Sequence, residues 1–132
     1  MKKRWYLITL ALAIIPVLAI ACTTQVSGEG KTLTEEQARQ MAEGFIKDCP
    51  TFAYDGIESS LVLEDTLYPD IKNAWTIVYK FECSHSGYGD RDGQMLLQVI
   101  TPHEAMITVE NGAIKTALMD GCWDMLAQQF ID

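Results

Sequence analysis

Positive charge is scarce in this sequence. The 132 residues include ten Lys and Arg against eighteen Asp and Glu, a net charge of −8. Three of the ten basic residues precede position 5, so a chain that begins at position 22 keeps seven basic and eighteen acidic residues, a net charge of −11. Binding to phosphate groups needs a basic patch, so the composition argues against nucleic acid as a partner and favours a soluble acidic surface.

Motifs for metal, redox or nucleophile chemistry are also lacking. The only histidines are His85 and His103, and no two of the four cysteines stand in C-x-x-C spacing. Zinc sites and thioredoxin-like redox pairs need such close-set ligands. There is no G-x-S-x-G elbow either. We therefore predict no metal site and no cofactor, and we assign no catalytic residue.

Long apolar runs are absent except at the N-terminus. Met1–Arg4 carries three positive charges, and Trp5–Ala21 carries none. This run is about 17 residues long, the lower limit for a membrane-spanning helix, and it contains Pro16. A charged segment followed by a short apolar one predicts a signal peptide over residues 1–21.

The end of this run carries a more specific motif. Leu18-Ala19-Ile20-Ala21-Cys22 resembles the lipobox of prokaryotic lipoproteins, although Ala19 stands where that family favours Leu. The resemblance implies cleavage before Cys22, which then carries a diacylglyceryl group and acyl chains such as palmitate. Two acyl chains make a stable anchor, so we expect a lipoprotein on the extracytoplasmic face of the cell membrane. The alternatives are a secretory signal with Cys22 free and a short uncleaved anchor helix.

Three other cysteines follow, at Cys49, Cys83 and Cys122. In an oxidising compartment this number predicts one disulfide and one odd thiol. The sequence leaves all three pairings open.

The mature chain predicts one α+β domain over residues 32–132, preceded by a flexible polar tether over residues 22–31. Thr34–Gln37 has the form of a capping box. The apolar positions after it recur at helical spacing, which predicts an amphipathic N-terminal helix that ends at Cys49–Pro50.

The rest of the domain predicts an antiparallel meander of four or five strands packed on that helix. The predicted strands are Leu61–Leu63, Trp75–Ser84, Gln94–Thr101, Ala105–Glu110 and Ala113–Met119. The third is apolar enough for a central strand and joins the second through a hairpin, and Pro102 then interrupts the sheet. Asn111–Gly112 predicts a tight hairpin, and Trp123–Phe130 predicts a short C-terminal helix.

In its order of elements this architecture resembles PepSY and cystatin-like domains, in which a helix lies across a curved antiparallel sheet. The hairpin Val109–Ile114 belongs to that likeness, and no catalytic motif does. The resemblance implies a binding or regulatory module, with an inhibitory or chaperone-like role towards a protease. In such a role the sheet face or a strand edge holds an extended peptide.

The densest group of candidate functional residues lies in the Gly-rich loop His85–Gly93. Asp90 and Asp92 are spaced as alternate oxygen ligands of a calcium loop, although no bidentate Glu completes the pattern. The candidate ligand or ion loop comprises His85, Tyr88, Asp90, Asp92 and His103. The alternative is a solvated hairpin turn that uses Asp-Gly for its positive φ.

Two further functions stay open. A small hydrolase or cation-dependent enzyme would be centred on the same loop, with Cys83 or Ser86 as the nucleophile and a histidine as the base. Neighbouring residues of a strand point to opposite faces, so the loop alone does not supply a triad. An envelope spacer without a binding site is the third possibility.

Overall fold

Helices cover one face of an antiparallel sheet in this protein. The computed structural model describes residues 32–132. The predicted signal peptide (residues 1–21), the tether (residues 22–31) and Cys22 lie outside the described residues. The α+β class is confirmed, and the sheet has six antiparallel strands rather than four or five.

Two α-helices precede the sheet, α1 (Glu35–Asp48) and α2 (Pro50–Asp55). Thr34 Oγ1 accepts from the Gln37 N–H at 3.2 Å, and the Gln37 side chain accepts from the Thr34 N–H at 3.0 Å, which is a capping box. Pro50 occupies the first turn of α2, where its missing N–H costs no helical hydrogen bond. Among residues 32–132, no helix has the length and apolar character needed to cross a bilayer.

A short 3₁₀ helix, Glu58–Ser60, leads into the sheet, whose strands lie side by side in chain order. The strands are β1 (Val62–Leu67), β2 (Ala74–Cys83), β3 (Thr101–Glu110), β4 (Ala113–Met119), β5 (Trp123–Asp124) and β6 (Gln129–Phe130). The predicted Asn111–Gly112 hairpin is confirmed, with φ of 49° and 79°. Asp120 and Gly121, with φ of 52° and 68°, make a second turn of this kind between β4 and β5.

The core lies between α1 and the inner face of β2, β3 and β4. Small residues on α1 let the helix approach the sheet closely, and the alternate residues of β2 and β3 fill the interface. The fully buried members are Ala38, Ala42, Ile46, Ile77, Phe81, Cys83, Ala105, Ile107, Val109, Ala117 and Met119.

Residues 94–100 form no strand, so the prediction of a central strand over Gln94–Thr101 is wrong for all but its last residue. β2 ends at Cys83, which pairs with Thr101 at the start of β3, and residues 84–100 connect them as a long loop rather than as a hairpin of paired strands. Pro102 does not interrupt the sheet. It lies within β3 opposite Glu82 and beyond the end of β4, whose last residue, Met119, pairs with Ala105, and a strand with a neighbour on one side only accepts proline.

The predicted C-terminal helix is also absent, and β5 and β6 take its place. Asp124 Oδ1 accepts from the backbone N–H groups of Leu126 and Ala127 at 2.8 and 2.9 Å. An Asp side chain that binds nearby backbone in this way competes with helix formation. The chain therefore reverses, and Phe130 pairs with Trp123 across the two short strands.

The predicted disulfide is absent among the described residues, where Cys49, Cys83 and Cys122 are all free thiols. Cys49 separates the two helices, Cys83 ends β2, and Cys122 follows the turn after β4.

Candidate functional site

Arg91 holds the Gly-rich loop against α2. Its side chain is only 1 % exposed. One terminal nitrogen, Nη1, donates to the backbone carbonyls of residues 85–87 at 3.1 to 3.3 Å. The other, Nη2, donates to the Thr51 carbonyl at 2.8 Å and to Asp55 Oδ1 at 2.6 Å. The guanidinium therefore closes the loop on itself and joins it to the short helix.

A second contact fixes the middle of the loop. The Gly89 N–H donates to Thr51 Oγ1 at 2.8 Å. Gly89 has φ of 70°, and a Cβ at this position would lie 3.2 Å from the Trp123 ring. Glycine is required here both for the positive φ and for the close approach of the indole.

His85 is paired with the same carboxylate that Arg91 contacts. His85 Nδ1 lies 2.7 Å from Asp55 Oδ2, and the histidine side chain is about 30 % exposed. Burial by itself favours protonation of Asp55, but the His85 hydrogen bond and the Arg91 charge outweigh it and lower the pKa of the carboxyl. Asp55 is therefore a charged group that orients one histidine.

His103 and Tyr88 meet at a different carboxylate, that of Asp120. Asp120 Oδ2 accepts from the Tyr88 hydroxyl at 2.9 Å and lies 2.7 Å from His103 Nδ1. Its Oδ1 accepts from the Glu104 N–H at 2.7 Å. The Cys122 thiol donates to the Tyr88 oxygen at 3.6 Å. Burial and the contacts of the Tyr88 hydroxyl with Cys122 and Asp120 raise the pKa of Tyr88. The phenol therefore stays protonated and acts as a donor.

The predicted ion loop does not converge on one point. Asp90 and Asp92 are exposed, and the Asp90 carboxylate accepts from the backbone N–H of Asp92 at 3.0 Å. His85 and His103 each face a different carboxylate. Among residues 32–132, no three His, Cys, Asp or Glu side chains are placed to hold a metal ion. The turn interpretation of Asp90–Gly93 agrees with this arrangement, since Gly93 has φ of 72°.

The two candidate nucleophiles are poorly placed for catalysis. Cys83 is fully buried, and burial, with the nearby Asp55 charge, raises the pKa of its thiol to about 12. A thiolate at neutral pH is therefore not accessible at this position. Within the described chain, Ser86 makes no side-chain hydrogen bond to either histidine.

A groove of about 540 Å³ lies on the outer face of the sheet, at the end where β3 begins. Its lining includes Lys80, Glu82, Pro102, Glu104 and Asp120. Lys80 already lies 2.9 Å from Glu64 and 3.9 Å from Glu104. The groove is thus an acidic surface whose one lysine is neutralised by carboxylates.

The most unusual surface of the domain is the segment over residues 94–100, called here the apolar segment. It contains no charged residue. Met95 is fully exposed, Leu97 is 73 % exposed, and Val99 and Ile100 are at least half exposed. Single exposed apolar side chains are common, but a run of them in one segment marks an interaction surface or an aggregation site.

Sequence reasoning found His85, Tyr88 and His103 but missed the residues that position them. Asp55 and Asp120 lie 30 and 17 residues away from the histidines that they orient. Asp120 had a local signal, because Asp-Gly between apolar residues predicts a primed turn. The burial of Arg91 left no signal in its acidic, Gly-rich surroundings.

Comparison with known proteins finds no matching family, no matching curated protein and no matching solved structure.

Proposed function

We propose that this protein is a lipid-anchored, extracytoplasmic module that binds and regulates another protein. The exposed apolar segment is the observation that carries the binding part of this proposal. Burying one apolar side chain fully is worth about 1.5–3 kcal/mol, so exposure of four in one segment is costly for the isolated domain. A partner that covers the segment recovers that free energy. The regulatory part rests on the likeness to PepSY domains in the order of helix and meander sheet.

The anchor rests on the sequence around Cys22. A lipid on this residue and a tether over residues 22–31 would hold the acidic domain near the membrane surface without inserting it. Like charge keeps an acidic domain away from anionic lipid headgroups. The apolar segment then remains available to a protein on the same face of the membrane.

Intact mass spectrometry of the chain purified from membranes tests the anchor. We expect the mass of residues 22–132 plus a diacylglyceryl group and an acyl chain. The matched Cys22→Ala variant should lack the lipid and leave the membrane fraction. A mass that retains residues 1–21 would contradict cleavage, and a mass without the lipid would contradict lipidation.

Site-specific photo-crosslinking in intact cells tests the binding function. A photoreactive residue placed at Met95, which is fully exposed, should give a discrete protein adduct. Ile71 is the matched control, because it is 54 % exposed and lies in the turn between β1 and β2, at the other end of the sheet. Equal adducts at both positions, or lipid adducts alone at Met95, would contradict the proposal.

A small hydrolase is the second candidate function, and the His85–Asp55 pair favours it. A carboxylate that holds Nδ1 leaves Nε2 of a partly exposed histidine free to act as a general base. Wild-type chain and a His85→Ala variant should then differ by at least about a hundredfold in hydrolysis of an activated ester. Equal rates would remove this candidate.

A further inference from the structure

We infer that the apolar segment binds by strand addition, pairing as an extra β-strand with the open sheet edge of a partner protein that has a basic rim. This inference rests on the proposed function and deepens it, because it specifies both the binding mode and the chemistry of the partner.

The apolar segment has the composition of a central strand but has no neighbouring strand among residues 32–132. It runs directly into β3, whose neighbour β2 ends at Cys83. In a simple hairpin the residues after Cys83 would lie beside it, but Arg91 and Thr51 hold them against α2. One long contact remains, from the Ser86 N–H to the Leu97 carbonyl at 3.4 Å. The residues described thus leave this side of the segment open, and we place a strand of another molecule there.

The unpaired backbone N–H groups of the segment favour a β-strand over a lipid bilayer as the partner that covers it. Within residues 32–132, only Gln94 and Val99 of this segment donate a backbone hydrogen bond. A lipid interior cannot satisfy the other N–H groups, and burying them unpaired is costly. The edge of a β-sheet accepts these hydrogen bonds and buries alternate side chains at the same time.

Neither sheet edge formed by residues 32–132 is suited to pairing with a second copy of the chain. β1 is an edge strand, but its register shifts between Leu63 and Asp65, and a bulge of this kind protects an edge from pairing. The opposite edge is β6, which has only two residues. The apolar segment is thus the donor, and the acceptor edge belongs to a different protein.

Charge around the segment defines the rim of that partner. Asp90 and Asp92 precede the segment and are exposed, and Glu82 and Glu104 lie beside the start of β3. Lys80, the nearby cation on the outer face, is already paired with carboxylates. An acceptor strand flanked by lysine or arginine complements this arrangement, and a strand flanked by carboxylates is repelled.

Amide hydrogen exchange of the mature, lipidated chain in detergent tests the inference with a designed probe. The probe is a peptide of about ten residues, alternating valine and threonine with two lysines at each end. Added peptide should slow exchange by about tenfold or more at every second N–H of residues 94–100, because only alternate residues of an edge strand face its neighbour. Uniform protection along the segment would instead indicate apolar contact without strand pairing and would overturn the inference.

Three controls make the test specific. A peptide of the same sequence with every amide between the lysines N-methylated has both edges blocked and should give no protection, and a peptide with glutamates at its ends should bind at least about tenfold more weakly. A Leu97→Asp variant should lose the protection, whereas Ile71→Asp should keep it. Protection that appears with chain concentration alone, or on addition of anionic vesicles alone, would assign the segment to a second copy or to a bilayer. No protection with the lysine peptide would also overturn strand addition, while adducts at Met95 would still support a binding function.

Discussion

Replacement of Arg91 by methionine tests the central feature of the site, the buried guanidinium that shapes the Gly-rich loop. The variant keeps most of the side-chain volume and removes every hydrogen bond that Arg91 donates. Five acceptors lose their donor, one of which is the Asp55 carboxylate. Breaking a buried ion pair by removing one partner costs about 3–5 kcal/mol, since the other charge is left uncompensated.

Two features of the structure place the loss of stability in Arg91→Met at the lower end of this range. The Asp55 side chain is 11 % exposed and still contacts His85, so water and the imidazole relieve part of its lost pairing. The three loop carbonyls bind water once the loop opens. Adding the separate hydrogen bonds would therefore overestimate the loss, and we expect the free energy of unfolding to fall by about 3–4 kcal/mol. A domain of this size has about 5–15 kcal/mol in total, so the variant should fold but be markedly less stable.

Urea unfolding followed by tryptophan fluorescence measures this loss. Arg91→Lys should recover less than half of it, because a single ammonium group cannot contact all the carbonyls that the planar fork reaches. Arg39→Met is the matched control: that arginine is about a third exposed, pairs with Glu35 on α1, and should cost less than about 1 kcal/mol. If Arg91→Met is as stable as Arg39→Met, the loop is held by something other than the guanidinium.

Three other predictions concern the groups around the loop. The folded state lowers the pKa of Asp55. The ionised Asp55 carboxylate therefore stabilises the fold at pH values above the ordinary carboxyl pKa, and this stabilisation is lost as pH falls through the lowered pKa. Urea midpoints should therefore fall more steeply below about pH 4 for wild type than for Asp55→Asn, and parallel curves would contradict the assignment. A maleimide should label Cys122, which is partly exposed, in the native chain, while Cys49 and Cys83 stay unlabelled until the chain unfolds, because burial raises their pKa. Peptide mapping that finds native labelling at Cys83 would refute this. Asp120→Asn keeps the side-chain size and the tolerance for positive φ but weakens an acceptor of three hydrogen bonds, so it should cost about 1–3 kcal/mol in the same urea assay. An unchanged urea midpoint would show that the Asp120 carboxylate does not stabilise the fold.

Much of the sheet follows from local sequence because its signals are strong and independent of distant partners. Alternation over residues 75–83 gives one face that is largely buried, and Asn111–Gly112 adopts the positive φ angles that its turn requires. These features depend on side-chain period and backbone freedom, both of which are readable within a few residues.

The predictions for the apolar segment and the C-terminus are wrong because local composition does not show which other contacts compete for the same stretch of chain. A strand needs a neighbour as well as apolar side chains, and the neighbour expected for residues 94–100 is held elsewhere by Arg91. Near the C-terminus, the Asp124 carboxylate binds backbone N–H groups and thereby favours a turn over a helix. In both places the hydrogen bonds of one polar side chain determine the backbone conformation, against the secondary structure that the apolar residues predict.

The Arg91 contacts compete with pairing of the apolar segment inside the domain. Pairing residues 94–100 with the chain after β2 would bury apolar side chains, but it would require Arg91 to leave Asp55 and the loop carbonyls. The structure keeps the Arg91 contacts and leaves Met95 and Leu97 exposed. Full burial of Met95 and Leu97 would be worth about 1.5–3 kcal/mol each, so the Arg91 contacts are kept at the expense of apolar burial. The structure keeps the buried ion pair, and the partner strand that we propose would cover the apolar segment without breaking it.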